Sequence, residues 1–86
     1  GTFTPLGLEL GGKDPGYVME DADLDWAVDV LMDGAMYNAG QCCCGIERIY
    51  VHRSRFDAFV DRATAWVSQL RLGSPLDPAT TLGPMA

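Results

Sequence analysis

Lysine and histidine are nearly absent from this sequence: Lys13 and His52 are the single examples, and arginine supplies the rest of six basic side chains. Twelve acidic residues oppose them, so the formal charge is −6 at pH 7. A nucleic-acid partner is excluded on that ground, because neutralising phosphates takes clustered Lys and Arg. Long apolar runs are also missing, and none approaches the ~18 residues that cross a bilayer. No membrane partner is expected. The first residues show no charged-then-apolar leader pattern. Cysteine is confined to one place, Cys42-Cys43-Cys44. Consecutive cysteines cannot staple distant segments without strain, so a disulfide framework is excluded. No spacing resembles a zinc pair, and His52 alone cannot complete a tetrahedral site, so no metal is expected. Free thiols remain, which points to an intracellular reducing compartment, cytoplasmic or mitochondrial matrix.

What is present suits a globular chain. Hydrophobic residues make up 48% of the 86 positions and charged residues 21%. That is outside the range of disordered composition. The length allows one small domain or a piece of a larger one. A chain this short buries only roughly 60–65% of its unfolded surface, so an independent core is marginal. Gly1 to Pro5 opens without Met, and Gly83-Pro84-Met85-Ala86 closes without a capping element. The expectation is therefore a segment, 1–86, of a bigger domain.

Periodicity gives the elements. Leu6-Gly7-Leu8-Glu9-Leu10 alternates at period two and predicts a short strand, ending in the turn formers Gly11-Gly12-Lys13-Asp14-Pro15-Gly16. Tyr17-Val18-Met19 predicts a second short extended piece. Asp21 or Asp23 can cap a helix whose apolar face is Leu24, Ala27, Val28, Leu31 and Ala35, running to about Tyr37. Asn38-Ala39-Gly40 can break it. Arg48-Ile49-Tyr50-Val51-His52 reads as a strand rich in β-branched and aromatic residues. Ser54, with Asp57 three residues on, predicts the cap of a second helix. Phe56, Phe59, Val60, Ala63, Val67 and Leu70 form its stripe, and Gly73-Ser74-Pro75 stops it. The order strand-strand-helix-strand-helix makes the class α/β.

The stretch Asn38-Ala39-Gly40-Gln41-Cys42-Cys43-Cys44 sits where a helix ends and a loop leads to a strand, a place where a thiol can meet a ligand. Cysteines also fill cores as small hydrophobes. Gly and Gln beside three thiols make a poor core segment, and the residues alone leave both readings open. A nucleophilic thiol needs a base or a positive field. His52 stands ~20–25 Å beyond Cys44 in an extended chain, and a surface role suits it. Glu9 interrupts an apolar strand just before Leu10-Gly11-Gly12, where a ligand can approach backbone; a carboxylate on an edge strand facing water is the plainer reading. Lys13 after two glycines does not make a phosphate loop, since neither the Walker spacing nor G-x-G-x-x-G is present.

Leu8-Glu9-Leu10-Gly11-Gly12-Lys13 resembles the glutamate motif of the aldehyde dehydrogenase superfamily. Asn38-Ala39-Gly40-Gln41-Cys42-Cys43, with Arg48 five residues after Cys43, resembles its cysteine motif, and the 34 residues from Glu9 to Cys43 are similar to the family's separation. Asp21-Ala22-Asp23-Leu24, Gly73-Ser74-Pro75-Leu76-Asp77-Pro78 and Gly83-Pro84 extend the resemblance over nearly the whole chain. It implies a partial catalytic domain, 1–86, whose dinucleotide-binding part and remaining residues lie outside this stretch. It implies Cys43 as nucleophile, Cys42 and Cys44 as non-catalytic neighbours, and Glu9 as general base. Backbone at Leu10 and Gly11 is implied to lie near the nicotinamide of NAD or NADP.

The implied reaction oxidises a small aldehyde to an acid through a Cys43 thiohemiacetal and thioester, hydrolysed with Glu9 taking a proton from water. A homo-oligomer is implied for the full-length protein. The chemistry is coherent: a thiolate attacks, the Cys43 N–H can stabilise the developing oxyanion, and a carboxylate partly desolvated in an apolar strand suits the base. Met36 and Tyr37 can reach toward substrate, although core packing is the plainer role for both. A catalytically silent structural homologue or an oligomerisation segment of the same fold is the alternative, and a structural descendant has no chemical need for both Glu9 and Cys43. A thiol acyltransferase or protease needs a His near Cys43.

Overall fold

Two parallel strands and two helices build the molecule, in a computed structural model that describes residues 3–86. Gly1 and Thr2, which begin the opening stretch 1–5, lie outside the described residues. Strand β1 is Asp14–Val18 and strand β2 is Ile46–Val51. Helices α1, Leu24–Met36, and α2, Phe56–Ser68, follow β1 and β2 respectively. The α/β class stands, and the element order holds from the second expected strand onward.

Residues 6–10 form no strand. Alternation is only half of what a strand needs; the other half is a neighbouring ladder for its N–H and C=O groups. β1 and β2 pair only with each other, and among the described residues nothing lies alongside 6–10. Its leucines stand out in solvent, with Leu6, Leu8 and Leu10 at 74–89% of full exposure.

α1 follows the sequence pattern closely. Asp23 is its N-cap, accepting from the Trp26 N–H at 3.2 Å, and Asp25 adds negative charge to the first turn. Leu24, Ala27, Val28 and Met32 are buried, while Leu31 and Ala35 of the expected face are half-buried. α2 starts differently from expectation. Ser54 lies in a short 3₁₀ turn, Arg53–Arg55, and Arg55 precedes the helix without a side-chain cap. The side chain that caps this 3₁₀ turn is His52, whose Nδ1 accepts from the Ser54 N–H and stands 2.8 Å from Ser54 Oγ. Ser54 therefore spends its hydroxyl on His52.

The core is Val18 from the sheet, Leu24, Ala27, Val28 and Met32 from α1, and Phe59 from α2. Ile49, Val51, Ala63 and Trp66 pack against it. Arg62 reaches Asp25 at 3.0 Å and Arg55 donates to the Ala22 carbonyl at 3.1 Å, so the N-terminal end of α1 is tied to α2 and the turn before it. Of the expected α2 stripe only Phe59 is fully buried; Phe56, Val60 and Val67 are exposed. Beyond α2 the chain closes on itself where Thr81 and Leu82 donate to the Arg71 carbonyl and Leu72 pairs with Leu82.

Candidate active site

The parallel register decides which loops meet. Asp14 opens β1 opposite Ile46, which opens β2. Gly11 lies three residues before Asp14, and Cys43 lies three residues before Ile46. Two segments entering a parallel ladder at matched positions must run side by side. A side chain at Gly11 would put its Cβ 3.6 Å from the Cys43 Cα and 3.8 Å from the Cys43 Cβ. Gly11 takes φ +99°, a backbone conformation that suits only glycine. The Glu9 carboxylate folds over this step, its Oε1 accepting from the Gly11 N–H at 2.6 Å. Glu9, Gly11 and Cys43 thus belong to one small neighbourhood.

Glu9 does not sit in an apolar strand, however. It is exposed on an irregular segment, and the surroundings expected to desolvate it are absent from the described residues.

Behind Gly11 the approach is braced. Arg48 donates to the Lys13 carbonyl at 3.3 Å, and the Lys13 ammonium pairs with Glu47. Glu47 is the extra residue where the register shifts between Asp14 and Pro15. Such a bulge re-aims one side chain, and here it turns Glu47 toward Lys13. No local sequence pattern marks such a bulge, so the pairing of Lys13 with Glu47 depends on register alone.

The cysteine loop begins with unusual backbone. After α1, Asn38 and Ala39 adopt left-handed φ of 53° and 56°, and Gly40 follows at 79°. Asn38 steadies the run by donating from Nδ2 to the Gln41 carbonyl at 2.9 Å. Asn and Gly signal left-handed backbone, whereas Ala39 carries no such signal. Cys43 and Cys44 then occupy the corner of a turn closed by the Gly45 N–H on the Cys42 carbonyl at 3.0 Å. The Cys43 N–H lies outside that closing bond. Gln41 is held from the far side, where its Oε1 accepts from the Ala86 N–H at 2.7 Å.

All three thiols are free; Cys43 and Cys44 are exposed and Cys42 is half-buried. Their sulfurs lie within 4.8 Å of one another, and Cys42 Sγ is 3.4 Å from Cys44 Sγ. Hydrogen bonds from the Cys44 backbone and thiol hold the Cys42 thiol below its ordinary titration range. Cys44, whose thiol makes that bond to Cys42 and which feels the neighbouring sulfurs, is pushed up. The resemblance singles out Cys43, whereas thiolate stabilisation falls on Cys42. His52 follows β2 while the cysteines precede it, so roughly 20 Å of strand at ~3.3 Å per residue separates them. His52 is no partner for any of these thiols.

Met36 is half-buried against the core, and Tyr37 is exposed. Both line a groove of about 300 Å³ that Leu82 and Pro84 close from the tail. Among the described residues no helix is long and apolar enough to cross a membrane.

The sequence pattern of the aldehyde dehydrogenase family matches residues 1–86. A succinate-semialdehyde dehydrogenase [NADP(+)] of Mycobacterium bovis is 48% identical over 82 residues, which is 95% of this chain and 18% of that protein. The 2-hydroxymuconic semialdehyde dehydrogenase of Pseudomonas putida is 46% identical over 80 residues, 93% of this chain and 16% of that protein. The crystal structure of succinate-semialdehyde dehydrogenase from Burkholderia pseudomallei superposes with a TM-score of 0.87 at 44% identity, covering 91% of this chain and 16% of that one. The chain thus spans about one sixth of the length of these relatives, and across that span both its sequence and its fold place it in the aldehyde dehydrogenase family.

Proposed function

We propose that this segment supplies the nucleophile and the general base of an NAD- or NADP-dependent dehydrogenase that oxidises a small aldehyde to the carboxylic acid. The observation that carries the reading is the close approach of Gly11 to Cys43, with room for no more than a Cβ between them, which brings the Glu9 loop to the exposed thiol. Several relatives are semialdehyde dehydrogenases by name, and most of these names specify NADP(+), which supports a semialdehyde as substrate class.

Cys43 stands at the corner of its turn, open to solvent and to an incoming carbonyl. Its thiolate adds to the aldehyde carbon, and the Cys43 N–H, free of the turn's closing bond, is a donor for the developing oxyanion. A nicotinamide, when bound, would supply the hydride acceptor. Leu10 and Gly11 would hold it through backbone, and the fit is steric: Gly11 leaves open the space that a Cβ would fill beside Cys43. Loss of hydride leaves an acyl thioester on Cys43. The Glu9 carboxylate, anchored by one oxygen to the Gly11 N–H, keeps the other oxygen for taking a proton from water, and the resulting hydroxide hydrolyses the thioester.

Glu9→Gln in the full-length protein separates the two halves of this scheme. The amide keeps size and hydrogen bonding but accepts no proton, so deacylation slows by roughly 10²–10⁴-fold, the usual worth of a positioned base. Stopped-flow absorbance should show a burst of reduced cofactor near one equivalent per site, followed by very slow turnover, with acylated protein visible by intact mass. Near-normal turnover would remove Glu9 from the mechanism. Absence of both burst and adduct would assign it to thiol activation instead.

A further inference from the structure

The mechanism uses Cys43 and leaves two thiols unexplained, yet those two touch. We propose that Cys42 and Cys44 form a hydroperoxide-sensitive dithiol, a modification site that closes to a disulfide around the turn and leaves the Cys43 thiol free. The geometry points to this pair. Their sulfurs are 3.4 Å apart and hydrogen-bonded across the corner residue. Residues two apart in a bent segment fall within the ~4.4–6.8 Å Cα separation of a disulfide, whereas directly adjacent cysteines close only with strain. Both neighbouring alternatives, Cys42 with Cys43 and Cys43 with Cys44, are directly adjacent.

The chemistry has a direction. The Cys44 backbone and thiol beside it favour the Cys42 thiolate, so Cys42 is the sulfur better able to carry negative charge. A thiolate is the species that reacts with peroxide. The Cys42 sulfur attacks one peroxide oxygen: an S–O bond forms, the O–O bond breaks, and the departing oxide takes a proton to leave as water or an alcohol. Cys44 then attacks the Cys42 sulfur. The S–S bond forms, the S–O bond breaks, and hydroxide leaves as water with the Cys44 proton. Two thiols lose two electrons in all, and the hydroperoxide gains them. The resolving thiol is already in contact, so the sulfenic acid has a short lifetime before capture. This inference rests on the Cys42–Cys44 contact and stands apart from the role proposed for Cys43.

The test uses the reduced full-length protein, treated with stoichiometric hydrogen peroxide, alkylated with iodoacetamide and mapped by peptide fragmentation. The segment's peptide should lose two hydrogens, and its alkylated cysteines should fall from three to one, with the label on Cys43. Cys43→Ala should form the same bond. Cys44→Ser should stop at a Cys42 sulfenic acid that dimedone traps, and Cys42→Ser should form no disulfide. A disulfide that includes Cys43, loss of oxidation in Cys43→Ala, or three alkylated cysteines after peroxide would each overturn the proposal. None of these readouts depends on aldehyde turnover, so a failed dithiol and a failed dehydrogenase assignment are told apart.

Discussion

Gly11 shows how much a single backbone angle contributes. At φ +99°, an alanine would carry a steric cost of about 1–2 kcal/mol, and its methyl would stand against Cys43. Gly11→Ala is expected to lower stability by that amount in urea titration and to lower kcat/KM for aldehyde by more than the stability loss explains. Ala39 is the converse case. It holds φ 56° without glycine's freedom, so strain is stored one residue before Gly40. Ala39→Gly should be neutral or stabilising by up to about 1 kcal/mol, read from the urea midpoint. The two shifted thiols set a pH order. Donors from Cys44 favour the Cys42 thiolate, so its ionised form is populated from lower pH, while Cys44 keeps its proton to higher pH. As pH rises through the thiol range, site-resolved iodoacetamide labelling should therefore gain at Cys42 before Cys44. The reverse order would mean that Cys42, not Cys44, donates the hydrogen bond between the two sulfurs.

Among the elements, α1 was the most legible in the sequence and the segment before β1 the least. The spacing of Leu24, Ala27 and Val28, with Asp23 ahead of them, specifies an amphipathic helix from neighbours three and four residues apart, and such local information survives in a bare sequence. Asp23→Ala should cost about 1 kcal/mol by removing the acceptor for the Trp26 N–H, measurable by chemical denaturation. Residues 6–10 carry equally regular alternation, yet a strand exists only through a partner, and pairing is not written in the segment itself. Ser54 fits a capping pattern as well as Asp23 does. It loses that role because the chain turns once more through Arg53–Arg55 before α2 begins, and its hydroxyl is taken by His52 Nδ1. The candidate site divides the same way. Glu9 and Cys43 were legible as motifs, but the Glu47 bulge, its bond to Lys13 and the 42–44 sulfur contact depend on register and turn geometry.

Taken whole, the molecule is a thin plate with principal extents of 59, 35 and 14 Å. Its radius of gyration of 16.8 Å exceeds the roughly 12 Å of a compact chain of this length. Trp26, Tyr17, Met19 and Val30 line an apolar face that remains open, in keeping with a stretch that covers about one sixth of its relatives. The 86 residues alone are expected to bind no NAD in calorimetry at micromolar concentration and to unfold without a sharp transition in circular dichroism. Tight NAD binding by this stretch alone would contradict that expectation. The parallel ladder also sets where such a gene can tolerate insertions and deletions. Gly11 meets Cys43 because each precedes its strand by the same count, whatever the length of chain between them. An extra residue after Glu20, in the loop ahead of α1, leaves both counts intact and should be carried with little loss of activity. The same insertion after Gly12 or Gly45 offsets one loop against the other, so alleles of the first kind should persist and those of the second should be null.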